Sequence, residues 1–202
     1  VRAIIGADPR TGGKVFLNGK PLNCRTPHDA IVNGVVMVPE DRKLQGIIPR
    51  MSVGRNISIG SLDQITNRLG FVNTRREEQI GLEGKANFNI KTPDLEKPIV
   101  ELSGGNQQKA IVARWMSTKP KVLILDEPTK GIDVGAKSEF YNMICEFAKE
   151  GLAVILISSE LPEVIGLSDR IIVMRGRRIV GEISAKDATE EKLLSMAMME
   201  ET

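Results

Sequence analysis

Aromatic side chains make up only 3% of these 202 residues, which leaves little from which to build the stacking platforms that hold single-stranded nucleic acid. Cysteine is scarcer still. Cys24 and Cys145 are too few and too far apart in sequence for a disulfide framework or a metal knuckle, and they fit a reducing cytosol. No apolar run approaches the ~20 residues of a membrane-spanning helix. Neither sign of charge dominates. The 28 basic and 26 acidic side chains leave a formal +2, without the basic excess that a phosphate backbone attracts. The opening VRAIIGADPR lacks the long apolar core and small-residue cleavage site of a signal peptide. It begins on Val1 rather than Met, which raises the expectation of a fragment. What remains, 41% hydrophobic and 27% charged, is the composition of a globular protein with one sizeable core, or a core and a satellite.

Four short apolar runs stand out: VVMV at 35–38, VLIL at 122–125, AVILI at 153–157 and IIVM at 171–174. Their hydrophobicity is continuous rather than alternating, which predicts strands buried on both faces of a mostly parallel sheet covered by helices. Helices are predicted over 106–117, 136–150 and 160–167. A last one, 189–199, opens with acidic residues where the helix dipole favours them. Asn18-Gly19 between strand-like flanks predicts a hairpin, and RIIVMRGRRIVGEI at 170–183 predicts another turning at 175–177. Residues 51–100 are more polar and hold no buried-strand run. They include RREEQIGLEGKANF at 75–88, so short helices are expected there. The chain reads as one α/β domain, 1–202, with flanking β-hairpins and a helical subdomain, about 45–118, inserted between two strands of the core.

In open α/β sheets ligands gather at the carboxyl ends of the strands, and Asp126 and Glu127 follow one apolar run directly. Two readings stand. The acids cap the next turn or pair with a lysine; or, as the Pro-Thr that follows favours, Asp126 holds Mg²⁺ through water while Glu127 orients or deprotonates an attacking water. Upstream, ELSGGNQQKAIVARW at 101–115 sets two glycines at the mouth of a helix, each costing roughly 0.5–1 kcal/mol relative to alanine. Ser103 as a plain N-cap before a loose glycine turn is one account. The other is an anion site, in which the Ser103 hydroxyl, the N–H groups of Gly104 and Gly105 and the positive end of the dipole face a phosphate. LSGGNQQ followed by LILDEPT leaves coincidence a poor explanation.

These motifs resemble those of the nucleotide-binding domain of ABC ATPases, with LSGGNQQK at 102–109 as the signature motif and VLILDEPT at 122–129 as Walker B. The resemblance extends over nearly all of the chain. It implies a P-loop NTPase-like ABC core with ATP and Mg²⁺ as ligands, Glu127 as the catalytic group and Asp126 facing the metal through water. It also implies that Ser103, Gly104, Gly105 and Gln108 meet the nucleotide of a partner domain. KGID puts Asp133 in the D-loop, VPEDRK puts Glu40 at the Q-loop, and ILISSEL puts Ser159 where the family carries its switch histidine. The wording VPEDRK, LSGGNQQK and DEPTKGIDVGAK is similar to the second domain of bacterial monosaccharide importer ATPases. That similarity implies sugar import at the cytoplasmic face of the bacterial inner membrane, with transmembrane permease subunits and a second nucleotide-binding domain as direct partners. A periplasmic sugar-binding protein would be an indirect one, and no nucleic acid is expected.

Three departures from the family pattern qualify this. G-x-x-x-x-G-K-[ST] occurs nowhere: five residues before the three Gly-Lys pairs stand Asp8, Lys14 and Gln79. The chain is therefore expected to start downstream of a P-loop that a longer parent contains, and to bind ATP negligibly by itself. The switch histidine is Ser159, and a neutral hydrogen bond is worth about 0.5–1.5 kcal/mol against roughly 1.5–3 for one to a charged group. The lone histidine, His28, sits in a polar TPHD turn and reads as a surface residue. Glu40 replaces the Q-loop glutamine and adds negative charge beside a triphosphate. An asymmetric pair follows, in which this signature completes a competent partner site while its own Walker B sits in a slow or silent one. Between Glu40 and the signature, GIIPRMSVGRNISI is read either as a grip on the permease, through Met51, Val53 or Ile57, or as helical core. A soluble repair ATPase lacks support because no long heptad insertion occurs, and a translation-type one because the charge is nearly neutral. A non-catalytic regulatory or structural domain stays open.

Overall fold

Asn18 and Gly19 adopt φ of 51° and 74°, the left-handed pair that a two-residue hairpin requires. They join β1 (Phe16–Leu17) to β2 (Lys20–Pro21) as the sequence predicts. The polar TPHD stretch is not a turn but a helix start. Thr26 accepts from the Asp29 N–H while the Asp29 carboxylate accepts from the Thr26 N–H, a capping box with Pro27 in the first turn. Helix α1 (Pro27–Val32) results, and His28 is exposed on it. β3 (Val35–Val38) then enters the core, with Val38 fully buried. The structure, a computed structural model, describes residues 1–198.

After β3 the chain makes a π-type turn, Arg42–Gly46, capped by Asp41, and then four helices. Ser52 caps α2 (Val53–Ser58), α3 (Leu62–Ile65) is a single turn, Asn73 caps α4 (Thr74–Asn87), and Ser103 caps α5 (Gly104–Met116). Each cap side chain except at α3 accepts a backbone N–H of the first turn, which satisfies one orphan donor. α2, α4 and α5 pack on one another. Val53 and Ile57 lie at 0% exposure inside that packing. They are core, so the expectation that they grip a partner is overturned; their burial follows from α2 being enclosed by the two longer helices. Met51 is half-buried.

β4 (Val122–Asp126) runs parallel to β3 with Val38 opposite Leu125, and lies between β3 and β5 (Ala153–Ile157). Asp133 caps α6 (Val134–Lys149), which precedes β5. β3 and β4 bear out the doubly buried expectation, since Val36, Leu123, Ile124 and Leu125 are buried. β5 does not: Ile155 stays 41% exposed, although β3, the other edge strand of this sheet, is buried.

Two compact units divide the chain, Val1–Ile155 and Leu156–Thr202. In the second, α7 (Leu161–Leu167) is followed by β6 (Arg170–Arg175) and β7 (Arg178–Ser184), an antiparallel pair turning through Gly176 and Arg177, both at positive φ. IIVM therefore belongs to a two-stranded hairpin rather than to the parallel sheet. Its side chains alternate, Ile171 buried and Ile172 exposed, because a two-stranded ribbon covers one face at most. α8 (Glu190–Met198) closes the unit, its Leu193 buried; Met199, the last residue of the predicted helix, lies outside the described residues.

One buried cation ties the first unit together. Arg114, 6% exposed, donates from Nε to the Asn56 carbonyl at 2.6 Å, from Nη1 to the Gly46 carbonyl at 2.6 Å and from Nη2 to Asn56 Oδ1 at 2.8 Å. Burial pulls its pKa down to about 10. The Asn56 amide, also buried, donates in turn to the carbonyls of Ile48, Met51 and Ser52. Arg114→Met leaves the Gly46 and Asn56 carbonyls without their buried donors, a loss of about 2–4 kcal/mol. Urea unfolding should show a lower midpoint at unchanged slope; a midpoint that stays put would show that this network does not hold the turn to α5.

Candidate functional site

The parallel register places three carboxylates at one edge. Because Val38 faces Leu125, the residues that leave β3 and β4 together are Glu40 on one side and Asp126 and Glu127 on the other. Burial, and after it the Glu40 carboxylate, push the Asp126 carboxyl above its ordinary range, with Glu127 adding to the effect. Lys130 answers from the turn after β4, its Nζ donating to Glu40 Oε1 at 2.7 Å. That pairing raises the Lys130 pKa. Glu127 holds φ at 46°, a left-handed conformation that costs a non-glycine residue energy and clusters at functional sites. Arg2, paired with Asp8 at 2.8 Å, lies near enough to Asp126 to act on its charge.

The second cluster is the start of α5. Ser103 is exposed, and its Oγ accepts from the Asn106 N–H at 3.4 Å and from Asn106 Nδ2 at 2.9 Å. Both bonds use lone pairs, so the hydroxyl hydrogen remains to be donated outward. The two glycines have an intramolecular reason that the sequence did not disclose. A Cβ at Gly104 would stand 2.8 Å from Arg42 Nη2 and 3.2 Å from the Gly131 carbonyl, and one at Gly105 would stand 2.8 Å from Ala136 Cβ. They let the turn after β4, the start of α6 and the β3 exit close onto the head of α5. They are helical residues, not a loose turn.

The remaining predicted residues divide. Asp133 spends its carboxylate on the Ala136 N–H at 2.9 Å as the α6 cap and stays exposed. Gln108, at 2% exposure, is buried in the body of α5 and presents no surface to another molecule. Lys109, the next residue, is itself buried and paired with Glu139 of α6. Ser159 belongs to the second unit, where it is exposed. Its neighbour Ser158 donates to the buried Glu163 and accepts from the Glu160 N–H at 3.0 Å. Sequence reading missed Lys130 and Arg42. Their partners lie 90 and 65 residues away, and only a charge one turn beyond the Asp-Glu pair hinted at the first. Among the described residues no group of three or more His, Cys, Asp or Glu is arranged to hold a metal by itself.

Comparison with known proteins follows this geometry. A family model described as ABC transporter matches residues 1–130, well over half of the chain. The protein named arabinose import ATP-binding protein AraG in Mannheimia succiniciproducens is 53% identical over 201 residues, covering 99% of this chain and 40% of its own length. A Rhizobium etli protein named putative ribose/galactose/methyl galactoside import ATP-binding protein 1 is 48% identical over 97% of this chain and 37% of its own. The chain thus spans about two fifths of the length of the curated relatives it matches. Among solved structures, cbiO1 from Clostridium perfringens, part of an ABC transporter complex, superposes with a TM-score of 0.74 over 96% of this chain and 74% of that one. The bacterial ABC transporter cassette MJ0796, solved as a dimer, gives 0.75 over 91% and 78%. Their identities of 22% and 18% carry the fold alone.

The raised Asp126 pKa has a testable sign. A carboxyl with a folded-state value above its unfolded value of about 3.9 penalises the native state increasingly as pH rises through the folded value, and not at all below the unfolded one. Asp126→Asn should therefore raise the urea midpoint at pH 7.5 and leave it level with the parent near pH 3.5. An unchanged or lower midpoint at pH 7.5 would mean that the charge is not penalised there.

Proposed function

The chain belongs to the ABC transporter family, and on that premise we propose that it is a nucleotide-binding module powering sugar import, one whose signature edge serves a partner domain's ATP better than its own Walker B serves its own. The observation that carries the proposal is the state of Ser103. It is exposed at the N-terminus of a 13-residue helix, with a hydroxyl hydrogen to give and the first amides of the helix beside it. A helix of that length adds a positive partial charge at the same point. The terminal phosphate of a nucleotide on a second domain is the natural complement.

The own-side carboxylates fit a metal held mainly by nucleotide and water. Mg²⁺ usually keeps several waters and takes one or two protein carboxylates, and Asp126, short of its charged preference and crowded by Glu40, gains from a cation. Glu127 would orient the attacking water. One feature weakens that side: Glu40 in place of a neutral amide. The sugar class comes from relatives named for arabinose and for ribose or galactose import. The same relatives, named as import ATP-binding proteins, make permease subunits the proposed membrane partners and this chain a peripheral one.

The test is steady-state ATPase of the full-length gene product. Ser103→Ala should lower turnover about 100-fold, the lower end of the range that loss of one donor to a developing charge produces. Glu127→Gln should lower it less than about 3-fold if the own site is the silent one. Loss of turnover in Glu127→Gln as complete as for the matching change in the partner domain would remove the asymmetry.

A further inference from the structure

The head of α5 is held from behind by a side chain that neither motif contains. Arg42 opens the π-type turn that follows β3. It is half-buried, and its Nε donates to Gln107 Oε1 at 3.2 Å. Gln107 is 7% exposed and turns its other end, Nε2, to the carbonyls of Ile99 at 3.2 Å and Leu102 at 3.1 Å. Those carbonyls frame the short 3₁₀ turn Ile99–Glu101 that delivers the chain to Ser103.

An amide has one accepting end and one donating end, so a guanidinium at Oε1 dictates that the NH₂ faces the carbonyls. Without it the buried oxygen loses its partner, and a flipped amide would set oxygen against oxygen. The bond has a cationic donor, which makes it stronger and more directional than a neutral one. Arg42 is also wedged in place, since Gly104 leaves its guanidinium the space that a Cβ would fill.

We propose that Arg42 is a positioning residue for the phosphate-facing edge: through Gln107 it fixes the turn that presents Ser103 and the first amides of α5. This rests on the reading that Ser103 faces a partner domain's nucleotide. Arg42 stands two residues after Glu40, which is itself paired with Lys130 and acts on Asp126. One short segment therefore touches both edges of the module, and a displacement of the β3 exit reaches Ser103 by way of two hydrogen bonds.

The experiment is a double-mutant cycle on the ATPase of the full-length gene product, with Arg42→Met, Gln107→Met and the pair, and Ser103→Ala alongside. Each single change is expected to lower kcat about 10-fold with KM for ATP within about 2-fold, because a misplaced donor weakens the transition state more than binding. The double variant should lose no more than Gln107→Met alone, since the Arg42 bond is already gone in that variant. A loss near 100-fold in the double variant would overturn the proposal, as would a rise in KM with kcat unchanged. If Arg42→Met fails to fold, Arg42→Lys keeps charge and stem but lacks Nε, and the same loss of kcat without a KM change is expected. Wild-type turnover in Ser103→Ala would overturn the reading of the site itself. Loss in Ser103→Ala with wild-type turnover in the Arg42 variants would overturn the positioning role alone.

Discussion

Two buried parallel strands, locked with Val38 opposite Leu125, force Glu40, Asp126 and Glu127 to leave the sheet at one edge. Up to Asp126 the strands are apolar, and Leu123, Ile124 and Leu125 are inaccessible to water, so a slipped register would draw the Asp126 carboxylate toward buried positions, where an unpaired charge is costly. The concentration of acid at the edge is therefore a consequence of burying the strands, and the surroundings answer it. Lys130 pairs with Glu40, Arg2 acts on Asp126, and the Asp126 carboxyl shifts upward because these are not enough. A site that holds its acid in a penalised state is one that a cation stabilises.

The glycines of the second cluster gain a different meaning from the structure than from the motif. The space beside Gly104 and Gly105 is taken by Arg42, the Gly131 carbonyl and Ala136, all from this same chain. Their first task is to let three segments converge on the head of α5. On the proposed reading a phosphate meets Ser103, which stays exposed, so the two tasks do not compete. Arg114, eleven residues after Ser103 at the far end of the helix, repeats the arrangement with Gly46 and Asn56. α5 is thus fastened at both ends to the stretch that runs from the β3 exit into α2.

Much of this was legible in the sequence where the signal is local. An apolar run ending in Asp-Glu gave the β4 edge, Ser103 before two glycines gave the α5 cap, and Asn18-Gly19 gave the first hairpin. What was not legible depends on contacts across the fold. IIVM has the composition of a core strand, yet the hairpin it enters covers one face only. Val53 and Ile57 read as surface grip or core alike, and only the enclosure of α2 by α4 and α5 decides for core. Gln108 looked like part of a contact motif, whereas the fold buries α5 on every side from Gln107 to Arg114, which no local pattern announces. Thr26 and Asp29 were legible in principle as a capping box, and the proline and histidine between them disguised it as a turn.

Glu40 is the substitution that counts most against nucleotide, and its neighbour moderates that. A neutral amide at this position contributes no charge; a carboxylate paired with Lys130 contributes a dipole with nearly no net charge. Both partners are exposed, so the pair is weakly held and screened by salt. A triphosphate approaching the edge competes for Lys130 on favourable terms, because it offers more negative charge than the single carboxylate it displaces. On the proposed reading, Lys130 thus offsets part of the charge that Glu40 adds, and the own site remains the weaker of the two.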